Sequence, residues 1–408
     1  MQGSRLSQQQ TVADLARAMD LIAPEWLAEP WDNVGLLLGS SERALDGPVI
    51  LTIDLSDAVV DEAVAARAAA LVVYHPPIFA PVKRVSDQSA LGRRLVRLGA
   101  ARCAVYTPHT ALDAAGDGLA DWLADTVLDE SLAQPTTPTT PTTPSRPSRA
   151  GSDRRALRPA QVQPATEQVK LVTFLPEANA DEARLALASA GAGRIGNYEA
   201  CSFTSAGTGT FFGNPGTAPA AGRSGQLERV AEVRLEMVCS LKALPIALQT
   251  LRRFHPYQEP AIDVVTLLPK PERTTGAGRR LMLDRPVQIE ELAGRVRRRL
   301  GLGVVHLARA SAPGVTGRVS VIGVCPGSGG ELAEAALADG CQAFVTGEMR
   351  HHDVIAMTAA GLHLILAGHT NTERGFMPAL AERLRPMLPG VDVRVSARDA
   401  DPLAAITA

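Results

Sequence analysis

The chain is poor in aromatic residues, in cysteine and in long apolar runs. Phe, Trp and Tyr make up 4% of its 408 residues, so its cores must be built mainly from Leu, Val, Ala and Ile. Its five cysteines are scattered and form no CxxC pair, which indicates buried thiols in a reducing compartment. No apolar run approaches the length of a membrane span, and the N-terminus MQGSRLSQQQ lacks the apolar core of a signal peptide. We therefore expect a cytoplasmic protein with no membrane partner.

Neither sign of charge dominates. The 41 Lys and Arg residues nearly balance the 43 Asp and Glu residues, which leaves a formal charge of −2. This balance argues against a general affinity for nucleic acid. A hydrophobic content of 46% over 408 residues is sufficient for the cores of two or three domains.

A Pro/Thr/Ser-rich tract interrupts the chain. From Pro135 the sequence reads PTTPTTPTTPSRPSRAGSDRR, which has almost no apolar side chain to bury. Such a composition predicts an extended, solvated linker, which we place at 133–167.

After the linker, strand-like and helix-like patterns follow in the order β-α-β-β-α-β. The predicted segments are Lys170–Leu175, Asp181–Ala190, Glu199–Thr204 with Gly209–Phe212, Glu228–Val238, Leu241–Phe254 and Ala261–Leu267. This order is typical of a ferredoxin-like module, which we place at 168–272. It carries no strong catalytic signature.

On both sides of this module, four apolar runs that read as strands each end in a polar turn. The polar turns carry His75; His109 and Asp113; Glu348, His351, His352 and Asp353; and His369 and Glu373. Two prolines follow His75 and stop the strand there. Gly368 interrupts the last run, and a helix that continues through Leu380 would place His369 and Glu373 on one face.

Imidazoles and carboxylates at strand ends point to a metal site, because the carboxyl ends of parallel strands converge on one edge of a sheet. Zinc, manganese and iron accept this ligand set, with one or two ions per subunit. The competing interpretation is that some of these residues are helix caps or local ion pairs. The other histidines, His255, His306 and His363, are interpreted as structural.

A glycine-rich turn, Pro326–Gly330, precedes a predicted helix. It could bind an anion at the helix N-terminus, but it lacks the GK[ST] ending of a phosphate loop. A plain turn is the favoured interpretation.

Six motifs resemble the family of NGG-one-interacting factor three, whose bacterial members are called GTP cyclohydrolase I type 2 homologues or dinuclear-metal-centre proteins. They are WDNVGLLLG, YHPPIF, VYTPHTALDAA, the run from Gly196 to Phe211, VTGEMRHHD and AGHTNTERG. The resemblance implies an α/β fold with a discontinuous two-lobed core, 1–132 and 273–408, and an inserted ferredoxin-like (CutA-like) α+β domain. It also implies a homo-oligomer that forms a hexameric ring.

The same resemblance implies four metal ligands: His75, Asp113, His369 and Glu373, with Glu373 bridging two ions. Many bacterial members have two histidines before the proline, whereas this chain has Tyr74 and then His75. Neutral tyrosine, with a pKa of about 10, is a poor metal ligand. The departure indicates that one of the two ions loses a ligand.

The predicted function is a metal-dependent hydrolase. A bound metal would generate hydroxide near neutral pH, which would attack a nucleotide or another phosphate-containing small molecule. His109 and His352 are the candidates for proton transfer. The alternative is a non-enzymatic metal-binding ring that stores, delivers or senses metal, or scaffolds a partner.

Overall fold

A computed structural model of the protein describes residues 9–128, 153–162 and 164–404. The chain divides into two compact units. The first is discontinuous and comprises Met1–Ala160 and Glu272–Ala408, and the second is Gln161–Pro271. Most of the Pro/Thr-rich tract, at 129–152, lies outside the described residues.

The first unit contains two five-stranded sheets. One has the strand order β1-β4-β3-β2-β16, in which β16, β2, β3 and β4 are parallel and β1 is antiparallel. Its strands are β1 (Gly35–Leu38), β2 (Val49–Thr52), β3 (Ala70–Val73), β4 (Ala104–Thr107) and β16 (Val393–Val395). Every residue of β2, β3 and β4 is buried, as expected for a parallel sheet that is covered on both faces.

The second sheet has the order β11-β13-β14-β15-β12, with a parallel centre of β13, β14 and β15 and an antiparallel strand at each edge. Its strands are β11 (Arg279–Gln288), β12 (His306–Ala308), β13 (Arg318–Ser328), β14 (Ala343–Glu348) and β15 (His363–Leu366). The predicted glycine turn is largely part of β13, which runs through Pro326 and Gly327 to Ser328 with a register shift after Cys325.

Helices cover these sheets. The α-helices of the first unit are α1 (Val12–Ile22), α2 (Asp57–Ala65), α3 (Ala90–Ala100), α4 (His109–Ala114), α5 (Leu119–Asp125), α8 (Ile289–Arg299), α9 (Gly330–Ala338), α10 (His351–Ala359) and α11 (Met377–Leu384). Helices α1 and α11 pack on one face of the first sheet, and α2 and α3 pack on the other. Serine hydroxyls cap α2 and α3, since Ser56 and Ser89 accept backbone N–H bonds from the first turn.

The second unit has the predicted β-α-β-β-α-β order. Its elements are β6 (Val169–Leu175), α6 (Glu177–Ser189), β7 (Phe203–Phe212), β8 (Leu227–Cys239), α7 (Leu244–Phe254) and β9 (Ile262–Thr266). The sheet order is β7-β8-β6-β9, and all its pairs are antiparallel. The two runs predicted as separate strands, 199–204 and 209–212, belong largely to one edge strand, β7. The first four residues of the earlier run, 199–202, precede this strand. The pattern hid this strand because an exposed edge strand has no alternation of buried residues.

Two further strands, β5 (Arg158–Val162) and β10 (Lys270–Ala277), form a two-stranded sheet. β5 falls inside the segment predicted as linker. Just before it, Arg155 forms an ion pair of 2.6 Å with Asp339, and Leu157 is buried. The described end of that segment is therefore structured, because its side chains find partners in the first unit.

Within the described ranges, no helix is long and apolar enough to cross a membrane.

Candidate metal centre

His75 lies just beyond the end of β3, where its backbone continues the ladder with the neighbouring strand. The His75 N–H donates to the carbonyl of Ile53 at 3.0 Å. Its Nδ1 lies 2.9 Å from Oδ1 of Asp54, at the end of β2. This contact leaves Nε2 facing Oε2 of Glu373 at 3.4 Å.

His369 and Glu373 follow β15, after Gly368 turns the chain with a φ of +89°. The prediction of a helix that carries both residues is wrong. They flank a single 3-10 turn, Thr370–Thr372, and the α-helix begins only at Met377. Their side chains nevertheless converge, since His369 Nε2 lies 3.4 Å from Glu373 Oε1. His369 Nδ1 lies 2.9 Å from Oε1 of Glu348, the last residue of β14.

His75, His369 and Glu373 form the one group of three potential ligands found in the described part of the chain, with ligand atoms within 4.8 Å of one another. Glu373 is only 2% exposed. Its Oε2 has no hydrogen-bond partner among the described residues. A buried carboxylate oxygen without a hydrogen bond is costly, and a bound cation would satisfy it. The donor set therefore fits a divalent transition-metal ion.

Gly327 forms one wall of this group. A Cβ atom at this position would lie 2.5 Å from Glu373 Oε1 and 3.1 Å from His369 Nε2. Its φ of +60° also favours glycine. The absence of a side chain here keeps the space beside the two ligands open.

Asp113, on α4, is tied to Tyr74. The Tyr74 hydroxyl donates a hydrogen bond of 2.7 Å to Asp113 Oδ1. Burial raises the pKa of Asp113 to about 6. Burial, together with the nearby Asp113 and Glu373 carboxylates, raises the pKa of Tyr74 well above its ordinary value. Tyr74 is therefore a neutral hydrogen-bond donor that occupies one oxygen of a predicted ligand.

His109, at the start of α4, is held by a buried carboxylate. Its Nδ1 lies 2.8 Å from Oδ1 of Asp32. Although burial opposes ionisation of Asp32, hydrogen bonds from His109 and Thr110 hold its pKa below the ordinary value. The His109 ring lies 5.6 Å from the His75 ring, centroid to centroid. His109 thus borders the three-residue group.

The electrostatics of the centre favour a cation. Although burial lowers the pKa of His75, its hydrogen bond with Asp54 and the negative charges of Glu373 and Asp54 raise it to about 10. The same contact with His75 lowers the pKa of Asp54. In the metal-free protein, a proton on His75 partly balances the surrounding carboxylates.

A model of the Duf34/NIF3 (NGG1p interacting factor 3) family matches residues 10–402. The chain belongs to this family. It is 32% identical over 380 residues to a Mycobacterium tuberculosis protein named GTP cyclohydrolase 1 type 2 homolog, covering 92% of this chain and 91% of that protein. It is 31% identical over 379 residues to NIF3-like protein 1 of Homo sapiens, covering 92% and 87%.

Solved structures agree with this assignment. A crystal structure of a Bacillus cereus protein related to NIF3 matches with a TM-score of 0.62 at 28% identity, covering 98% of this chain and all of that one. A Staphylococcus aureus protein matches with a TM-score of 0.71 at 23% identity, covering 98% and 99%, which shows a shared fold.

The structure brings the predicted residues together differently from the sequence-based expectation. His75 and Asp113 belong to the first sheet and its connections, whereas His369 and Glu373 follow a strand of the second sheet. The centre is therefore built from residues of both sheets and does not lie at one edge of a single sheet. His352 is exposed on α10, where its ring contacts that of His351 at 5.7 Å, and it lies outside the three-residue group.

Sequence reasoning missed Asp54, Asp32 and Gly327 as site residues. No local sequence signal marks Asp54 or Asp32 as a site residue. Their partners, His75 and His109, are 21 and 77 positions away, so the pairings depend on the tertiary fold.

Proposed function

We propose that the protein binds one divalent metal ion per chain and uses it as a hydrolase on a nucleotide or another phosphate-containing small molecule. The observation that carries this proposal is the buried Glu373 carboxylate, whose two oxygens each face an imidazole Nε2 at 3.4 Å. That arrangement is costly without a cation and favourable with one.

His75, His369 and Glu373 would hold the ion, and Asp113 is the fourth candidate ligand. Zinc, manganese and iron suit this mixture of imidazole and carboxylate. If Asp113 stays with Tyr74, the ion would have three protein ligands and an open position, which is typical of catalytic rather than structural sites. A bound ion supplies Lewis acidity and lowers the pKa of a coordinated water.

A single ion is favoured because Tyr74 is neutral and already donates to Asp113. Asp113 therefore has one oxygen committed to a hydrogen bond. A second ion would lack both the imidazole that many bacterial relatives have at this position and a freely available Asp113 carboxylate.

His109 is the candidate for proton transfer. Its Nδ1 is engaged with Asp32, which leaves Nε2 available to accept or donate a proton. Its ring borders His75, so a substrate held at the ion would lie close to it. The exposed His352 lies outside this group, and we assign it no role in the proposal.

The nucleotide part of the proposal is supported by the name of several relatives, GTP cyclohydrolase 1 type 2 homolog. Assembly as a homohexameric ring is likewise a proposal, which sedimentation of the purified protein would test.

The experiment is a turnover assay with protein loaded with zinc, manganese or iron. GTP, GMP and bis-p-nitrophenyl phosphate serve as substrates. We expect metal-dependent turnover of at least one of them, reduced at least a hundredfold in Glu373→Gln and unchanged in Glu334→Gln, an exposed carboxylate on α9. Full metal content without turnover of any substrate would favour the non-enzymatic role in metal storage, delivery or sensing.

A further inference from the structure

Two large aromatic side chains are exposed next to the metal centre. Trp31 and Phe79 are each 55% exposed. Their ring centroids lie 5.8 Å apart with an interplanar angle of 50°. Side chains of this size usually contribute to a core or to a binding surface, so an exposed pair calls for a function.

The pair is continuous with the metal centre. The Trp31 ring contacts the His109 ring edge-on, at 6.1 Å between centroids. His109 in turn contacts His75, a candidate metal ligand. Only one ring therefore separates Trp31 from the ligand group, which is within the length of a nucleotide-sized molecule.

The backbone next to both aromatic residues is fixed. Asp32, which follows Trp31, accepts a hydrogen bond from the backbone N–H of Thr110 at 3.1 Å and also holds His109. The side-chain amide of Asn33 donates to the carbonyl of Ile78, the residue before Phe79. The two loops are thus tied to each other and to α4. Rings on a fixed backbone lose little conformational entropy when a ligand binds.

We propose that Trp31 and Phe79 form an aromatic platform for the planar heteroaromatic ring, such as a nucleobase, of the molecule whose polar group reaches the metal. This inference rests on the proposed metal site and names the substrate class of that site. Stacking on an aromatic side chain uses the face of the ring, so the platform accepts any nucleobase.

The dimensions favour a small ligand over a protein surface. Two half-exposed aromatic side chains present on the order of 100 Å² each, which suits one planar ring. A stable protein interface needs about 800 Å² from each partner. The platform also borders a group of potential metal ligands, to which a flat protein partner would have no need to extend.

The test is ligand binding to the metal-loaded full-length protein. Quenching of tryptophan fluorescence and calorimetry measure the binding. The probes are GMP, AMP and CMP, with ribose 5-phosphate as the probe that lacks a base. We expect the three nucleotides to quench fluorescence. We expect Trp31→Ala and Phe79→Ala to weaken GMP binding at least tenfold, a loss consistent with one lost stacking contact.

Trp26→Ala is the matched control, because Trp26 is 59% exposed but makes no aromatic ring contact among the described residues. It should change GMP affinity less than twofold. Trp31→Phe should restore much of the affinity that Trp31→Ala loses. Ribose 5-phosphate should bind wild type and Trp31→Ala equally.

Two results would overturn the platform: no quenching by any of the nucleotides, or GMP affinity unchanged in Trp31→Ala. In the second case, an altered sedimentation coefficient in Trp31→Ala would identify the pair as a contact between copies of this chain. Metal content, measured on the same samples, separates the two proposals. Quenching that depends on Trp31 in a protein that binds no metal would uphold the platform and contradict the proposed function.

Discussion

Each imidazole at the centre has its Nδ1 held by a carboxylate. The pairs are His75 with Asp54, His369 with Glu348, and His109 with Asp32. Such a partner fixes the orientation of the ring and makes Nε2 a better ligand. In the proposed metal site, these carboxylates would therefore orient the imidazoles without touching the ion themselves.

Gly327 provides the sharpest single-residue test. In Gly327→Ala, the new methyl group would lie 2.5 Å from Glu373 Oε1, so we expect metal affinity to fall at least tenfold. The matched control is Gly340→Ala. Gly340 has a similar φ of +78° with open space around it, so this variant carries the backbone strain without the steric clash. It should lose about 1 kcal/mol of stability and no metal. Equal metal affinity in the two variants, measured by calorimetry, would contradict the geometry.

Metal binding should depend on pH through His75. Its pKa of about 10 lies above the ordinary value of 6.5, so the metal-free protein carries this proton at neutral pH. That proton stabilises the metal-free fold most below pH 6.5, and its contribution is lost as the pH rises through 10. A metal must displace it, so we expect affinity for Mn²⁺ to rise about tenfold per pH unit between about pH 7 and 8.5.

Calorimetry in buffers of different ionisation enthalpy should count about one proton released per ion at pH 7.5. Asp54→Asn should lower the pKa of His75 and so reduce the number of protons released. An affinity independent of pH would show that His75 is not a ligand.

A residue could be predicted to belong to the site where a local signal in the sequence marks it. The apolar run that ends in two prolines pointed to His75, and the glycine after Ala367 pointed to His369. Asp54 and Gly327 could not be found, because what makes them important is a neighbour brought close by the tertiary fold.

At the scale of elements, the centre joins the ends of two sheets. Arg279, at the start of β11, is 1% exposed. Its guanidinium donates to Asp121 Oδ2 at 3.0 Å and to the carbonyls of Gly276 and Ala115 at 2.7 Å each. Ala115 follows α4, which carries Asp113. This one side chain therefore fastens the α4–α5 connection to the edge strand of the second sheet.

Replacing Arg279 by leucine should cost about 3–5 kcal/mol, because it leaves the Asp121 carboxylate and two carbonyls without their buried partner. The free energy of unfolding in urea measures this loss. Arg318→Leu, at an exposed arginine of β13, is the control and should stay within about 0.5 kcal/mol of wild type. A loss below 1 kcal/mol in Arg279→Leu would mean that the two sheets are held together without it.

The long apolar runs could be predicted to be strands from the sequence. How these strands are arranged into two sheets could not be predicted. The same kind of apolar, fully buried run occurs in β3 of the first sheet and at 343–345 of β14 in the second. Nothing local in these runs distinguishes membership of one sheet from another. The helix expected at His369 failed for a different reason: the 3-10 turn there is imposed by its packing against β13 and β14.

At the scale of the whole molecule, the Pro/Thr-rich tract should be dispensable. Its described flanks lie close together, because Arg154 donates to Asp125 Oδ1 at 2.7 Å. Deleting 135–149 leaves nine residues between positions 128 and 153, which can span up to about 30 Å. We expect metal content and sedimentation coefficient to remain those of wild type. Loss of assembly in the deletion variant would give the tract a structural role.

We propose one metal ion per chain, held by Glu373 and two histidines. Elemental analysis of protein purified without chelator tests it directly, on wild type, Glu373→Gln and Tyr74→His. We predict about one ion in wild type, almost none in folded Glu373→Gln, and up to two in Tyr74→His, where an imidazole replaces a neutral phenol. Two ions in wild type would contradict the role assigned to Tyr74, and full metal content in Glu373→Gln would contradict the site itself.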